Sequence, residues 1–313
     1  MITRRHIRLK VMQTLYSYFS NPQNDLKIYE KVLLKDIYSI SNLHVIIFSF
    51  LLELYKFAQG FLEDNKFKFM PTEEDLNPNT KFINNRVFSI LIEDKELLKK
   101  VDINSRVLTK SDLDVIRKVF VKVIKSNQYN DYLNNQKDNL VEDKKFIQIL
   151  LNEFILENDI FHHILQEKSI FWLDDLPFIV LFLKAQINNL EKGSSSSVVV
   201  DVFKNKEDKK FAIDLFRNTI KNSSEFDSII ERKVQNWEID RIANMDLLFI
   251  KMALSEIVSF VEMPVKVSFN EYIEISKYYS TKNSKVFING ILDKIVSEFR
   301  SEGKIKKTGK GLA

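Results

Sequence analysis

The chain has 313 residues, enough for one large domain or two of ordinary size, and its 45% hydrophobic and 12% aromatic content excludes global disorder. Six glycines and five prolines favour long helices over a turn-rich β fold, and zero cysteines exclude disulfides and thiolate metal sites and fit a reducing cytosol. The net charge is only +4 but unevenly held: Arg4, Arg5, Arg8 and Lys10 carry +4 before the first acid, Asp25, and Lys304, Lys306, Lys307 and Lys310 carry +4 after Glu302, which leaves −4 for the body between. Basic charge gathered at the two ends fits a local polyanion contact rather than a generally basic surface.

In chain order, the start MITRRHIRLK lacks the apolar stretch and cleavage site of a secretory signal. Leu9, Met12, Leu15, Tyr16 and Phe19 fall at helical spacing, an apolar stripe for a first helix that Asn21 and Pro22 end. Helical periodicity returns over residues 29–61, 86–101 and 113–132, with a two-proline loop over 70–80. Residues 144–165 read as one amphipathic helix carrying Phe146, Leu150, Phe154 and Phe161. Asp174 and Asp175 are placed to cap the next helix, with Pro177 in its first turn. The longest uncharged apolar run, residues 176–183, stops far short of the ~18 residues a membrane span needs, so no membrane association is expected.

Gly193 followed by Ser194 to Ser197 reads as a linker, and a domain boundary is expected near residue 200. Beyond it, Ser268 and Glu271 have capping-box spacing just after Pro264, opening a helix that runs through Tyr279. After a polar turn over 279–285, a last helix buries Phe287, Ile288, Ile291, Leu292, Ile295 and Phe299. Gly290 sits inside that helix at a cost of ~1 kcal/mol, which suggests close approach of a neighbouring helix or of RNA. Residues 303–313 are basic and aperiodic, and read as a disordered tail.

Taken bottom-up, Arg4, Arg5 and Arg8 are either a solvated helix start or a phosphate site. Cations in a first helical turn oppose the macrodipole, and no acid precedes Asp25 to offset them locally. Arg4 and Arg8, at i and i+4, can straddle adjacent phosphates. Tyr279 and Phe287 among Lys277, Lys282 and Lys285 form an aromatic and cationic mixture able to stack bases, although, taken alone, both rings read better as core. Enzyme signals are missing. His162 and His163 point about 100° apart on a helix, and there is no glycine-rich nucleotide loop, nucleophile elbow or HExxH.

The segment MPVKVSFNEYIEISKYYSTKNSKVFINGILDK (residues 263–294) resembles the C-terminal signature of the transcription antitermination factor NusB family. Pro264, Lys266, Val267, Asn270, Glu271, Lys277, Tyr279, Ser284, Phe287, Asn289, Gly290, Leu292, Asp293 and Lys294 fall in register. Residues 246–258, DLLFIKMALSEIV, and residues 211–242 resemble the preceding family helices, and TRRHIRLKVMQTLYSYF (3–19) resembles the Arg-rich first helix. The resemblance implies an all-α fold: a NusB-like helical bundle from residues 1–24 and 201–302, an inserted helical region over 25–200, and the tail over 303–313.

It further implies binding of single-stranded boxA-like RNA through Arg4, Arg5, Arg8, Lys285, Phe287 and Asn289. His6 and Val286 stand where the family often has Arg and Lys, which removes cations. Tyr16, Asp246 and Asn283 match positions that meet the small-subunit ribosomal protein NusE; Tyr16 serves equally well as core, and Asn283 replaces a common acid. The implied role is a cytoplasmic, non-enzymatic, cofactor-free RNA-binding protein. It would join NusE and the RNA polymerase antitermination complex on ribosomal RNA operons and support ribosome biogenesis. Two alternatives stand beside it: a protein-interaction scaffold with reduced RNA binding, and a module associated with an RNA methyltransferase. The role of the insertion, the oligomeric state and the preferred RNA sequence are not given by these residues.

Overall fold

The computed structural model describes residues 1–21, 25–104, 109–191, 197–234 and 242–312, and the side chains of all of these except Ile103, Asn104, Lys310 and Gly311. Among the described residues every regular element is helical: α1 (Arg4–Ser20), α2 (Leu26–Lys66), α3 (Glu73–Leu76), α4 (Arg86–Glu93), α5 (Lys95–Asn104), α6 (Lys110–Ile124), α7 (Asn127–Asn134), α8 (Leu140–Leu151), a π turn (Asn152–Leu156), α9 (Asp159–Lys168), α10 (Trp172–Asn188), α11 (Lys206–Lys221), α12 (Ser223–Lys233), α13 (Asn244–Ser259), α14 (Val265–Tyr279) and α15 (Ser284–Ser301), with a 3₁₀ turn at Gly309–Leu312. The fold class is all-α, as the sequence indicates. The linker glycine Gly193 and Ser194 to Ser196, and Pro22 after α1, lie outside the described residues.

The chain divides into two compact units, one of Met1 and Tyr38–Val202, the other of Ile2–Ile37 and Phe203–Ala313. The first three turns of α2 fall in the second unit because they are held there chemically. Lys10 Nζ pairs with Asp36 at 3.2 Å, Arg217 pairs with Glu30 at 2.6 Å, and Leu33 and Ile37 are buried.

In the second unit α13 is buried on nearly every side, through Leu248, Phe249, Ile250, Met252, Ala253, Leu254 and Ile257. A helix apolar all round belongs in a core, and α1, α11, α12, α14 and α15 pack around it. α15 buries Ile288, Ile291, Leu292, Ile295, Val296 and Phe299, the expected stripe, while Phe287 is only half-buried. α1 departs from expectation. Its inward face is Ile7, Arg8, Lys10, Val11, Met12, Thr14 and Leu15, and Tyr16 and Phe19 are exposed. The helix is rotated because two cations find acids in the interior, which no apolar count anticipates.

Two expected caps are not made. α14 begins on Pro264 with no side-chain cap, and α10 begins on Phe171, which puts Pro177 inside the helix and Asp174 and Asp175 in its first turn. The expected helix over 144–165 is broken at Asn158, whose side chain accepts from the Ile160 N–H at 3.0 Å. Gly290 is exposed, and a Cβ there would meet nothing within 4 Å, so no neighbouring helix explains it. The tail differs as well: Ile305 packs on Ile257, Val265 and Val296, and Thr308 N–H donates to Val261 O at 3.0 Å.

In the first unit, aromatic side chains from several helices meet in one cluster. Phe82 lies edge-on to Phe88, Tyr129 and Phe146, and Tyr132 stacks on Phe146 at 4.2 Å. α2 is long and apolar enough to cross a bilayer by length and composition, which its uncharged runs alone do not reveal; its apolar window is 72% buried within the protein, as in a core helix. On that helix His44 is buried, and its Nε2 shares a 2.6 Å hydrogen bond with Gln186 Oε1, while Gln186 Nε2 donates to Val198 O at 2.8 Å.

Burial pushes His44 down to about 4, against an ordinary value near 6.5. The folded state therefore holds fewer protons than the unfolded state between those values, and stability falls as pH drops through that window. At one pKa unit per ~1.4 kcal/mol, His44 accounts for roughly 3 kcal/mol of acid destabilisation. His44→Gln should lower stability at pH 7, and its deficit against the parent should shrink steadily between pH 6.5 and 4 in urea titrations. A constant deficit across that range would show that His44 does not titrate there.

Candidate nucleic-acid and partner interface

The three arginines expected to meet phosphate all find carboxylates from distant parts of the chain. Arg8 is 2% exposed and donates through Nε and Nη2 to the two oxygens of Glu256, at 2.8 and 2.6 Å. Ser268 Oγ and Tyr272 OH donate to the same carboxylate at 2.8 and 2.9 Å, so Glu256, itself 0% exposed, receives two donors on each oxygen. Arg8 also reaches Glu271 at 3.5 Å and lies over the rings of Phe211 and Tyr272. Burial by itself would lower the Arg8 guanidinium, but the hydrogen bonds and charge of Glu256 outweigh it, and the net direction is upward. The Tyr272 hydroxyl is driven up by burial and by the same carboxylate.

Arg8 is thus a structural cation and not a surface phosphate ligand. Ser268 and Glu271, expected to cap α14, are instead drawn to this cluster. Arg5 stays half-exposed and grips Glu271 with Nε and Nη2 at 2.9 and 2.8 Å. That bond raises the Arg5 guanidinium and holds the Glu271 carboxyl below its ordinary range. Arg4 pairs with Asp208 at 3.1 Å and covers the Phe211 ring. His6 is pushed down to about 4 by burial and by Lys10 and Arg5, so it is neutral at pH 7 and adds no cation.

The other expected RNA residues gather at the start of α15. Lys285, Val286 and Asn289 are exposed, and Asn289 Nδ2 donates to Asp293 at 3.2 Å. Phe287 lines a pocket of about 210 Å³ with Ile242, Ala243, Asp246, Thr281, Asn283 and Ser284. Asp246 is buried, and its carboxylate oxygens accept from Ser280 Oγ at 2.6 Å and Ser284 Oγ at 2.8 Å. It therefore serves as an anchor for the turn between α14 and α15 rather than as an open charge. Tyr16 is 46% exposed and not core; with Phe19, Ser20, Asn244, Leu247, Leu248 and Lys251 it lines a second pocket of about 210 Å³.

The two pockets flank the first turn of α13, which supplies Asn244, Leu247 and Leu248 to one and Asp246 to the other. The structure thus brings Asp246, Asn283 and Phe287 together and sets Tyr16 in a separate hollow. Sequence reading missed Leu247 and Lys251 in the Tyr16 pocket; the i, i+4 spacing of these residues on α13 was the available signal. Lys251 also lies over the Phe19 ring at 5.2 Å and pairs with Asp227.

The profile of the NusB family matches residues 180–297. The transcription antitermination protein NusB of Salinibacter ruber is 43% identical over 122 residues, covering 39% of this chain and 76% of that protein. The chain belongs to the NusB family. The transcription antitermination protein NusB of Chloroherpeton thalassium is 36% identical over 129 residues, 41% of this chain and 60% of that one. The Geobacter sulfurreducens protein of the same name is 39% identical over 95 residues, 30% of this chain and 69% of that one. No solved structure matches the chain. The family is one of antitermination factors, not of enzymes.

Removing one member of the Arg8–Glu256 pair strands a buried charge, which typically costs 3–5 kcal/mol. Arg8→Met should therefore destabilise the protein by about that amount in urea titrations. Adding Glu256→Gln should recover a substantial part of the loss, because the stranded charge is gone. Additive losses in this double-mutant cycle would mean the pair is not coupled.

Proposed function

We propose that this NusB family member is a cytoplasmic RNA-binding antitermination factor. It holds boxA-like single-stranded RNA and joins the ribosomal protein NusE within the RNA polymerase antitermination complex on ribosomal RNA operons, thereby supporting ribosome biogenesis. The observation that carries the reading is the 43% identity to a transcription antitermination protein, over a segment covering 76% of it. Two features of the surface support it. Arg4 and Arg5 sit at the α1 N-terminus in partly exposed ion pairs, worth little in water and open to exchange for phosphate. Lys285, Phe287 and Asn289 offer a cation, a half-buried ring and an amide on one turn of α15, suited to phosphate contact and base stacking. For NusE, the Tyr16 pocket offers an aromatic rim with Leu247, and the pocket beside Asn283 offers hydroxyls and a neutral amide.

Pairing of all three arginines with acids also favours the second reading, a protein-interaction scaffold with reduced RNA binding. Titration of a boxA-like RNA oligonucleotide at several salt concentrations separates the two. Under the RNA-binding reading, Arg4→Ala with Arg5→Ala flattens the salt dependence by about 0.7 for each phosphate no longer neutralised, and Phe287→Ala weakens binding by roughly 1–3 kcal/mol. Binding that is negligible at moderate salt, with NusE affinity retained, selects the scaffold.

Gly290 gives an independent check. The space beside it is empty, so Gly290→Ala should stabilise α15 by up to about 1 kcal/mol. If RNA lies against that bare backbone, the same variant should melt higher yet bind RNA more weakly. Unchanged RNA affinity would remove Gly290 from the contact surface.

A further inference from the structure

Arg4, Arg5 and Arg8 bring three positive charges to the start of α1, and Asp208, Glu271 and Glu256 meet them at 3.1, 2.8 and 2.6 Å. The cluster is formally neutral, so a polyanion approaching this end of α1 meets cations that are already engaged. A surplus of positive charge has to come from elsewhere, and the opposite end of the chain supplies it.

After α15 the chain reverses at Gly303, whose φ of 70° is the left-handed conformation that closes a helix. Lys304 N–H returns to Phe299 O at 2.9 Å and Gly303 N–H to Arg300 O at 3.2 Å, the paired bonds of a Schellman motif. Ile305 then packs on the core cluster of Ile257, Val265 and Val296. Lys307 Nζ donates to Phe260 O at 2.9 Å, and Thr308 N–H to Val261 O at 3.0 Å.

These bonds strap the tail onto the turn between α13 and α14, and the same turn touches the arginine helix. Val261 and Arg4 line one cleft of about 260 Å³, Met263 Sδ lies 3.9 Å from Arg8 Nη2, and Lys307 is close enough to feel the charge of Glu256. Lys304 and Lys306 are exposed on the strap; Lys304 shares a surface ion pair with Glu302, and Lys306 pairs with no acid among the described residues. The acids lining the Arg4 cleft are Glu207 and Glu262, with Asp214 paired to Lys210. Lys304 lies within reach of the charges of Glu302, Glu225 and Glu298, which leaves Lys306 as the less compensated of the two lysines.

We infer that the carboxy-terminal strap is a third segment of the RNA surface, with Lys304 and Lys306 contacting phosphates of the strand held by Arg4 and Arg5. This rests on the RNA-binding reading above. The strap's apolar anchor, Ile305, holds the lysines in place, so the contact costs less ordering than a loose tail would.

The test uses the full chain and a boxA-like single-stranded RNA oligonucleotide. Lys304→Gln with Lys306→Gln leaves Ile305 and the Lys307 bond intact, and melting curves check that the fold is kept. Expected is a fall of about 1.4 in the slope of log affinity against log salt, about 0.7 for each phosphate that goes unneutralised. Lys304→Arg with Lys306→Arg should retain the parent slope. Lys27→Gln with Lys31→Gln, removing the same charge from exposed positions on α2, should leave the slope near that of the parent. An unchanged slope in the Lys304/Lys306 Gln variant, or an equal fall in the α2 control, overturns the strap contact while leaving the RNA-binding reading standing. A parent protein that does not bind the oligonucleotide overturns both.

Discussion

The second unit depends on one buried ion pair. Arg8 and Glu256 are 248 residues apart in sequence and both almost wholly out of water, where two charges are expensive unless every polar atom is met. Here the carboxylate receives four donors and the guanidinium lies against two aromatic rings, so the desolvation is compensated. The pair also fixes how α1 is rotated. At about 100° per residue, turning Arg8 inward leaves Arg5 and Tyr16 on one flank, about 60° and 80° away, and Arg4 on the other. The half-exposed arginines and the Tyr16 pocket are consequences of where Arg8 points.

The three arginines consequently have different chemistry despite sitting within five residues. Arg8 cannot leave its partner without stranding Glu256. Arg4 and Arg5 form pairs that solvent screens, and such pairs contribute at most about 1 kcal/mol. A phosphate that displaces Asp208 or Glu271 therefore replaces a weak interaction with a comparable one, and net attraction depends on uncompensated cations nearby. Exchange at Arg4 and Arg5 alone would therefore give a polyanion little net attraction.

What the sequence made legible follows from how far apart the interacting residues lie. The α15 stripe from Ile288 to Phe299 is a local pattern of three- and four-residue steps, and the structure buries it as read. The all-helical fold follows from similar runs and from scarce glycine and proline. Ser268 and Glu271 have the spacing of a capping box, yet both side chains turn to α1 or α13, because a buried guanidinium and carboxylate make stronger demands than a helix end. Asp246 was expected as a partner-binding position, and its role as a buried anchor was not legible, since its two serine partners lie more than thirty residues away. The tail was misread for a similar reason: one isoleucine in a basic stretch has no periodicity, and only the cluster it meets gives it a place.

The same reasoning explains how the long stretch between α1 and α11 is compatible with this bundle. α1 and α11 are separated in sequence by the whole of the first unit, yet the entropy of closing a loop grows only with the logarithm of its length, about 0.6 kcal/mol for each doubling. Breaking the Arg8–Glu256 pair is worth several times that, on the order of 3–5 kcal/mol. Lys10–Asp36 and Arg217–Glu30 add anchors of their own, fastening the start of α2 to the bundle before the helix continues into the first unit. A chain with such contacts can carry a long segment between α1 and α11 at little thermodynamic cost, provided the intervening residues bury their own apolar surface. The Phe82–Phe146 cluster and the buried α2 are how they do so. The penalty falls on kinetics instead, because α1 must find α13 across more than two hundred residues before the pair can form.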